Sequence, residues 1–265
     1  MDRSFSFAAA LAATLTVAGL AAAAPGDWTQ IGTKADWGAT KFMVAVDGDL
    51  YSVETGGNLY RTDKSGHWVQ LGKSADWAGT LAMTAMDGAI WTIEKDGNLY
   101  KTDTTGKWIG VGKKGEWKNT IALGAIGGAL WTIEKSGNLY KTDTSGNWAQ
   151  VGKAGAWAKT RLFTTLDGAI WTVETDGTLY RTATDGTWKA VGKTGEWANT
   201  AFIVGHDGEI WSVENNGTLY RTRQDGSWKQ VGPKGAWAAT ITLVSMDGGL
   251  WSVESTGKLY RTATH

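Results

Sequence analysis

An uncharged apolar stretch, Leu81 to Met86, is followed by Asp87-Gly88 and then by Ala89 to Glu94, where Trp91 and Ile93 alternate with Ile90, Thr92 and Glu94. The first stretch suits a strand buried on both faces, and the second a period-two strand with two distinct sides. Asp-Gly between them is a strong hairpin signal, because both central positions of a type I′ turn take φ > 0. A second turn over Glu94 to Asn98, with Gly97 in the left-handed region, leads into a short strand around Leu99 and Tyr100. Asp103 to Gly106 turns again, Trp108 to Gly112 makes a fourth strand, and residues 113–120 form the only long loop of the unit. After residue 25 the chain carries no helical periodicity.

This pattern recurs without insertion or deletion in six copies that begin at Gly26, Gly66, Gly106, Gly146, Gly186 and Gly226. One tryptophan column is Trp28, Trp68, Trp108, Trp148, Trp188 and Trp228; a second is Trp37, Trp77, Trp117, Trp157, Trp197 and Trp237. A third reads Tyr51, Trp91, Trp131, Trp171, Trp211 and Trp251, and the three columns hold all 17 tryptophans. Four short antiparallel strands per repeat is the content of one β-propeller blade, and a unit this small buries a core only by stacking on its neighbours. The expected fold is therefore all-β, a six-bladed β-propeller of four-stranded antiparallel blades. The most apolar strand, Phe42 to Val46 and its equivalents, should line the central channel. Trp28 to Gly32 is an outermost strand, and the last copy stops after its third strand, so the N-terminal strand is expected to complete the last blade and close the ring. An open solenoid would carry polar capping repeats, whereas the end copies here are as regular as the middle ones.

Before the repeats stand Arg3, an apolar run from Phe5 to Leu20, and Ala21 to Ala24. This reads as a secretory signal peptide over residues 1–24, with the propeller over 26–265. The expectation is a secreted or periplasmic protein with no membrane span in the mature chain. The 26 lysines and arginines balance the 26 aspartates and glutamates, and both signs recur in every repeat. Such a chain lacks the basic footprint that tracks a phosphate backbone, so nucleic acid is not an expected partner. Cysteine is absent, which removes disulfides and thiolate metal sites. His67, His206 and His265 share no column and so suggest neither a metal site nor a general base, and no cofactor is expected.

The long loop and the turn after the Glu column (Glu54, Glu94, Glu134, Glu174, Glu214, Glu254) fall on one rim, the expected binding face. The candidate carbohydrate-binding residues are Trp37, Trp77, Trp117, Trp157, Trp197 and Trp237, with Asp36, Asp76, Glu116 and Glu196 before the loop tryptophan and Asn119 and Asn199 after it. In one reading the indole covers the C–H side of a pyranose ring while carboxylate, amide and hydroxyl groups bond its hydroxyls. In the other the same tryptophan plugs the cleft between blades. The first and third tryptophan columns lie within strands and are expected in the core between blades. The Glu column either accepts hydrogen bonds from its own turn or meets a ligand, and the basic residue after each Leu-Tyr (Arg61, Lys101, Lys141, Arg181, Arg221, Arg261) is its expected ion-pair partner. A propeller enzyme needs different groups converging on one place, but here each carboxylate is copied around a ring, so no catalytic residue is expected.

The order Trp-x-x-(Ile/Val)-Gly, a loop with Trp, an apolar strand, Gly-x-Leu-(Trp/Tyr)-x-Val and Leu-Tyr-(Arg/Lys) resembles the tachylectin-2 and tectonin group of β-propeller lectins. It covers all six repeats, as in VGKAGAWAKTRLFTTLDGAIWTVETDGTLYRT from Val151 to Thr182. The resemblance implies binding of glycans such as N-acetylglucosamine, methylated sugars or lipopolysaccharide in clefts between adjacent blades. The chain departs from the family in its uniform Glu column and its short turns between third and fourth strands. The expected function is a non-enzymatic multivalent lectin; the alternative is a protein-interaction or assembly propeller.

Overall fold

A computed structural model describes residues 23–265, so the segment read as a signal peptide lies almost wholly outside the described residues. These residues form 24 strands in six four-stranded antiparallel sheets, and no helix among them is long and apolar enough to cross a membrane. The first blade is typical, with β2 (Thr40–Val46), β3 (Asp49–Glu54), β4 (Leu59–Thr62) and β5 (Trp68–Leu71) in that order from the channel outwards. The last blade is assembled from both ends of the array. Its strands β22 (Thr240–Met246), β23 (Gly249–Glu254) and β24 (Leu259–Ala263) are joined by β1 (Trp28–Ile31), in the register Trp28↔Thr262 to Ile31↔Leu259. This pairing closes the ring, as the missing strands at the two ends require.

Local chemistry explains the elements. The Asp-Gly hairpins place Asp47 at φ 51° and Gly48 at φ 79°, and Gly127-Gly128 does the same in the third blade with φ 56° and 71°. Each innermost strand begins with a β-bulge, between Thr40 and Phe42 in the first blade and at the matching place in the other five. The bulge leaves one residue per blade out of register at the channel mouth. Those residues are Lys41, Leu81, Ile121, Arg161, Ala201 and Ile241.

Six buried clusters hold the blades together, each built from two neighbours. Between the second and third blades, for example, Met86, Trp91, Ile93 and Leu99 pack with Trp117, Leu123 and Leu130. The third tryptophan column is at most 2% exposed and belongs to this core, as expected. The loop tryptophans are buried too, at 2–5%. A buried indole removes roughly 150–250 Å² from water, so each is worth of order 4–6 kcal/mol as an upper bound.

Three glycine columns make the close packing possible. Where the outermost strands of neighbouring blades meet, a Cβ on Gly146 would lie 2.4 Å from the Cα of Gly112, and one on Gly186 would lie 2.6 Å from Gly152. The turn glycines Gly57, Gly97, Gly137, Gly177, Gly217 and Gly257 accept the backbone N–H of the tryptophan in the next blade's loop, at 2.9–3.0 Å in all six cases. The loop is thereby clamped to the turn of the preceding blade.

Candidate functional site

The clamp decides what the loop tryptophan can do. Its backbone is tied to the neighbouring turn, and its indole turns into the cleft, where Nε1 of Trp37, Trp157 and Trp237 donates to Oγ1 of Thr62, Thr182 and Thr262 at 3.3–3.4 Å. Of the two readings of this column, its burial fits the cleft plug.

The exposed face belongs to the first column. Trp28, Trp68, Trp108, Trp148, Trp188 and Trp228 are 45–53% exposed, which corrects the expectation that they sit in the core. They lie on the outermost strand of each blade, with no further strand to cover them. Each stands edge-on to the tyrosine of the adjacent Leu-Tyr pair, with ring centroids 4.7–5.3 Å apart and planes at 84–90°. That T-shaped packing fixes the indole without hiding it.

Between this wall and the loop opens a pocket that recurs around the ring. In the first blade it is lined by Asp36, Trp37, Ser52, Glu54, Tyr60 and Trp68 and holds about 170 Å³. The second blade repeats it with Asp76, Trp77, Thr92, Glu94, Tyr100 and Trp108 and widens it to about 310 Å³. The fourth and fifth blades carry smaller versions of about 70 and 50 Å³, around Trp188 and Trp228. The buried tryptophan forms part of the lining, the exposed one and the tyrosine form a wall, and the Glu-column carboxylate supplies the charge.

The residue before the loop tryptophan tunes the wall. Asp36 Oδ2 accepts from Trp68 Nε1 at 2.9 Å, Asp76 from Trp108 at 3.4 Å, and Glu196 Oε1 from Trp228 at 3.4 Å. Glu116, half-buried, holds the same position in the third blade; Ala156 in the fourth offers no acceptor. Asn119 and Asn199 do not join this arrangement. They are exposed on the loop, and their backbone carbonyls accept from the N–H of Lys135 and Asn215 in the next turn.

Burial raises the Glu54, Glu94 and Glu174 carboxyls above the ordinary carboxylate value. At Glu94 the desolvation outweighs an opposing hydrogen bond from Thr80 Oγ1 at 2.7 Å and the nearby charge of Lys41. The expected pairing of the Glu column with the basic residue after Leu-Tyr does not form. Arg61 bonds Asp49 Oδ2 at 2.6 Å, Arg221 lies 3.6 Å from Glu209, and Lys101 and Lys141 rest over the rings of Trp91 and Trp131. Strand register is the reason: Arg61 pairs with Tyr51 and reaches the start of β3, whereas Glu54 ends that strand. The Glu-column carboxylates are thus left to the pockets.

No known protein family's sequence profile matches the chain, and no curated protein matches it. Solved structures do. A streptogramin B lyase aligns with a TM-score of 0.59 at 15% identity, covering 91% of this chain and 98% of its own. Virginiamycin B lyase from Staphylococcus aureus aligns at 0.58 and 17% identity, covering 83% and 78%. YCF48 bound to D1 peptide aligns at 0.56 and 14% identity, covering 91% and 96%. At these identities the likeness is one of fold: the chain is a six-bladed β-propeller. Neither the tectonin group nor an enzyme family is singled out.

Proposed function

We propose that this protein is a non-enzymatic, multivalent binding propeller whose rim pockets take the sugar rings of a glycoconjugate. The observation that carries the reading is the repetition, in four of the six blades, of one pocket lined by an exposed tryptophan, a tyrosine and the Glu-column carboxylate. An indole fixed on edge suits the apolar side of a pyranose, and a carboxylate with few internal partners accepts its hydroxyls. Pockets of this size are individually weak, and several on one rigid ring gain avidity on a densely decorated surface. Ligand-sized pockets begin near 300 Å³, so the second-blade site around Glu94 and Trp108 is assigned as the principal one. Copying the same carboxylate around the ring favours equivalent binding sites over a single catalytic centre.

A second reading, a protein-assembly propeller, rests on a different surface. The channel mouth forms a cavity of about 320 Å³ lined by Phe42, Leu81, Ile121, Phe163 and others, with Arg161 at its edge. Leu81 and Ile121 are 37% and 44% exposed there. The YCF48 propeller was solved with a peptide bound, and a segment with apolar side chains would suit this mouth.

One experiment separates the two. The purified protein is screened on a glycan array and any hit is titrated by calorimetry, alongside Trp108→Ala and Leu81→Asp. Sugar binding at more than one site per chain, weakened at least tenfold in Trp108→Ala and unchanged in Leu81→Asp, supports the first reading. No glycan binding by folded protein, with partner capture abolished by Leu81→Asp, supports the second.

A further inference from the structure

The repeat is broken at one buried position. His206 occupies a column that is otherwise Val46, Met86, Ile126, Leu166 and Met246, and it is only 4% exposed. It ends β18 (Thr200–His206), one residue before the Asp207-Gly208 hairpin. The seam of the ring brings a second imidazole to it. Thr264, just past β24, is buried and donates to Gly248 O of its own blade's hairpin at 3.1 Å, and the following residue, His265, reaches Asp207 of the fifth blade's hairpin. Although the two histidines share no column, ring closure brings them together at a place the sequence alone did not mark.

We infer that His206, Asp207 and His265 form a binding site for a divalent cation of the zinc class. His265 Nε2 lies 2.8 Å and His206 Nε2 3.1 Å from Asp207 Oδ2, and one ligand atom from each of the three residues falls within 4.8 Å of the others. Bonds of about 2.0–2.2 Å at a tetrahedral angle hold neighbouring donors roughly 3.3–3.5 Å apart. The two pairs with Asp207 need to open by only a few tenths of an ångström, while the two imidazole nitrogens, within 4.8 Å of each other, have to draw together to that spacing; the Asp207 and His265 side chains, 49% and 73% exposed, are free to make both adjustments.

The outer partner is also in place. His206 Nδ1 sits 2.7 Å from Ser245 Oγ on the next blade. Without metal, Nε2 also lies 3.0 Å from Thr264 Oγ1, whose proton goes to Gly248 O, so it is the donor there. Metal binding moves the ring proton to Nδ1, where Ser245 Oγ accepts it, and frees the Nε2 lone pair, as second-shell partners of ligating histidines do. Two imidazoles and one carboxylate match zinc better than the all-oxygen sets that suit magnesium or calcium. Three protein donors leave a fourth position for water or an incoming ligand. The site joins the fifth blade to the chain segment that follows the seam strand, so the metal staples the ring where it is closed without covalent continuity.

The test is calorimetric titration of the untagged, chelator-treated protein with zinc chloride, with cobalt(II) absorption as a second readout. One zinc per chain is expected, with tetrahedral cobalt bands and a zinc-dependent rise in melting temperature. His206→Met restores the residue found at positions 86 and 246, so it keeps the fold and should abolish uptake. Asp207→Asn and His265→Ala should each weaken uptake roughly tenfold or more. No uptake by the wild type, or uptake unchanged in these variants, overturns the proposal and leaves a plain hydrogen-bonded network in which Nε2–H is shared between Thr264 Oγ1 and Asp207.

Discussion

Trp77 and Trp108 line the same pocket and have opposite fates: the first is 3% exposed and the second 46%. Trp77 comes from a loop and Trp108 from a strand, so the usual association of strands with burial and loops with exposure is inverted. The loop residue is buried because its backbone N–H bonds Gly57 O of the preceding blade and commits the indole to the cleft. The strand residue is exposed because the outermost strand of a blade has nothing beyond it. Placement in the ring, and not the local element, separates a structural tryptophan from one available to a ligand.

The sharpest way to break this contrast is to truncate each in turn. Trp77→Ala leaves a cavity in the cleft and should cost about 3–5 kcal/mol of stability, as large-to-small changes of buried aromatics do. Trp108→Ala should cost less than about 1 kcal/mol, because it removes one T-shaped pair on an exposed face. Chemical denaturation of the two variants, read by tyrosine and far-ultraviolet signals, checks the difference. Equal losses would mean that the exposed column is part of the core after all.

The same clamp can be attacked from its glycine. A Cβ on Gly217 would lie 2.2 Å from Ala238 N, and the residue has φ 75°. Gly217→Ala should therefore cost about 1–3 kcal/mol from overpacking, on top of the left-handed backbone. Gly127→Ala supplies the control, with φ 56° and nothing within 4 Å of the added methyl. It should show only the backbone part, about 1–2 kcal/mol. If the two variants melt alike, the close approach of loop and turn is not what holds the indole in place.

The fold was legible because its signals are local and repeated. Asp-Gly at five inner hairpins and Gly-Gly at the sixth fix the turn type, and an unbroken period forces equivalent units that bury a core only between neighbours. The missing strands at the two ends then dictated ring closure. The pocket was only half legible. Asp36, Asp76, Glu196 and their buried tryptophans do line pockets, but the wall supplied by Trp68 and Tyr60 depends on which strand is outermost and how adjacent side chains pair across it. Asn119 and Asn199 looked like ligands by type and proximity, yet the loop uses their carbonyls to hold the next turn. His206 and His265 could not be joined from sequence, since only the pairing of β1 with β24 brings the end of the chain to the fifth blade.

The smallest effect concerns the pocket's charge. Burial raises the Glu94 carboxyl, so the folded state binds its proton more tightly than the unfolded chain does. Its favourable contribution is fully present below the ordinary carboxylate value and is lost as pH rises through the raised one. Asp63, Asp103 and Asp143 run the other way. Side-chain hydrogen bonds from Ser65, Thr105 and Asn147 lower them, so their contribution is present above the ordinary value and lost as pH falls. Glu94→Gln removes one trend and leaves the other, and keeps an acceptor for Thr80. The variant's melting temperature should equal that of the wild type near pH 4 and exceed it by a few degrees near pH 7, by the usual scaling of small stability changes for a domain of this size. A variant less stable than the wild type at neutral pH would show that the charge is held by favourable bonds inside the fold, and the pocket would then have a structural carboxylate in place of one left free for a ligand.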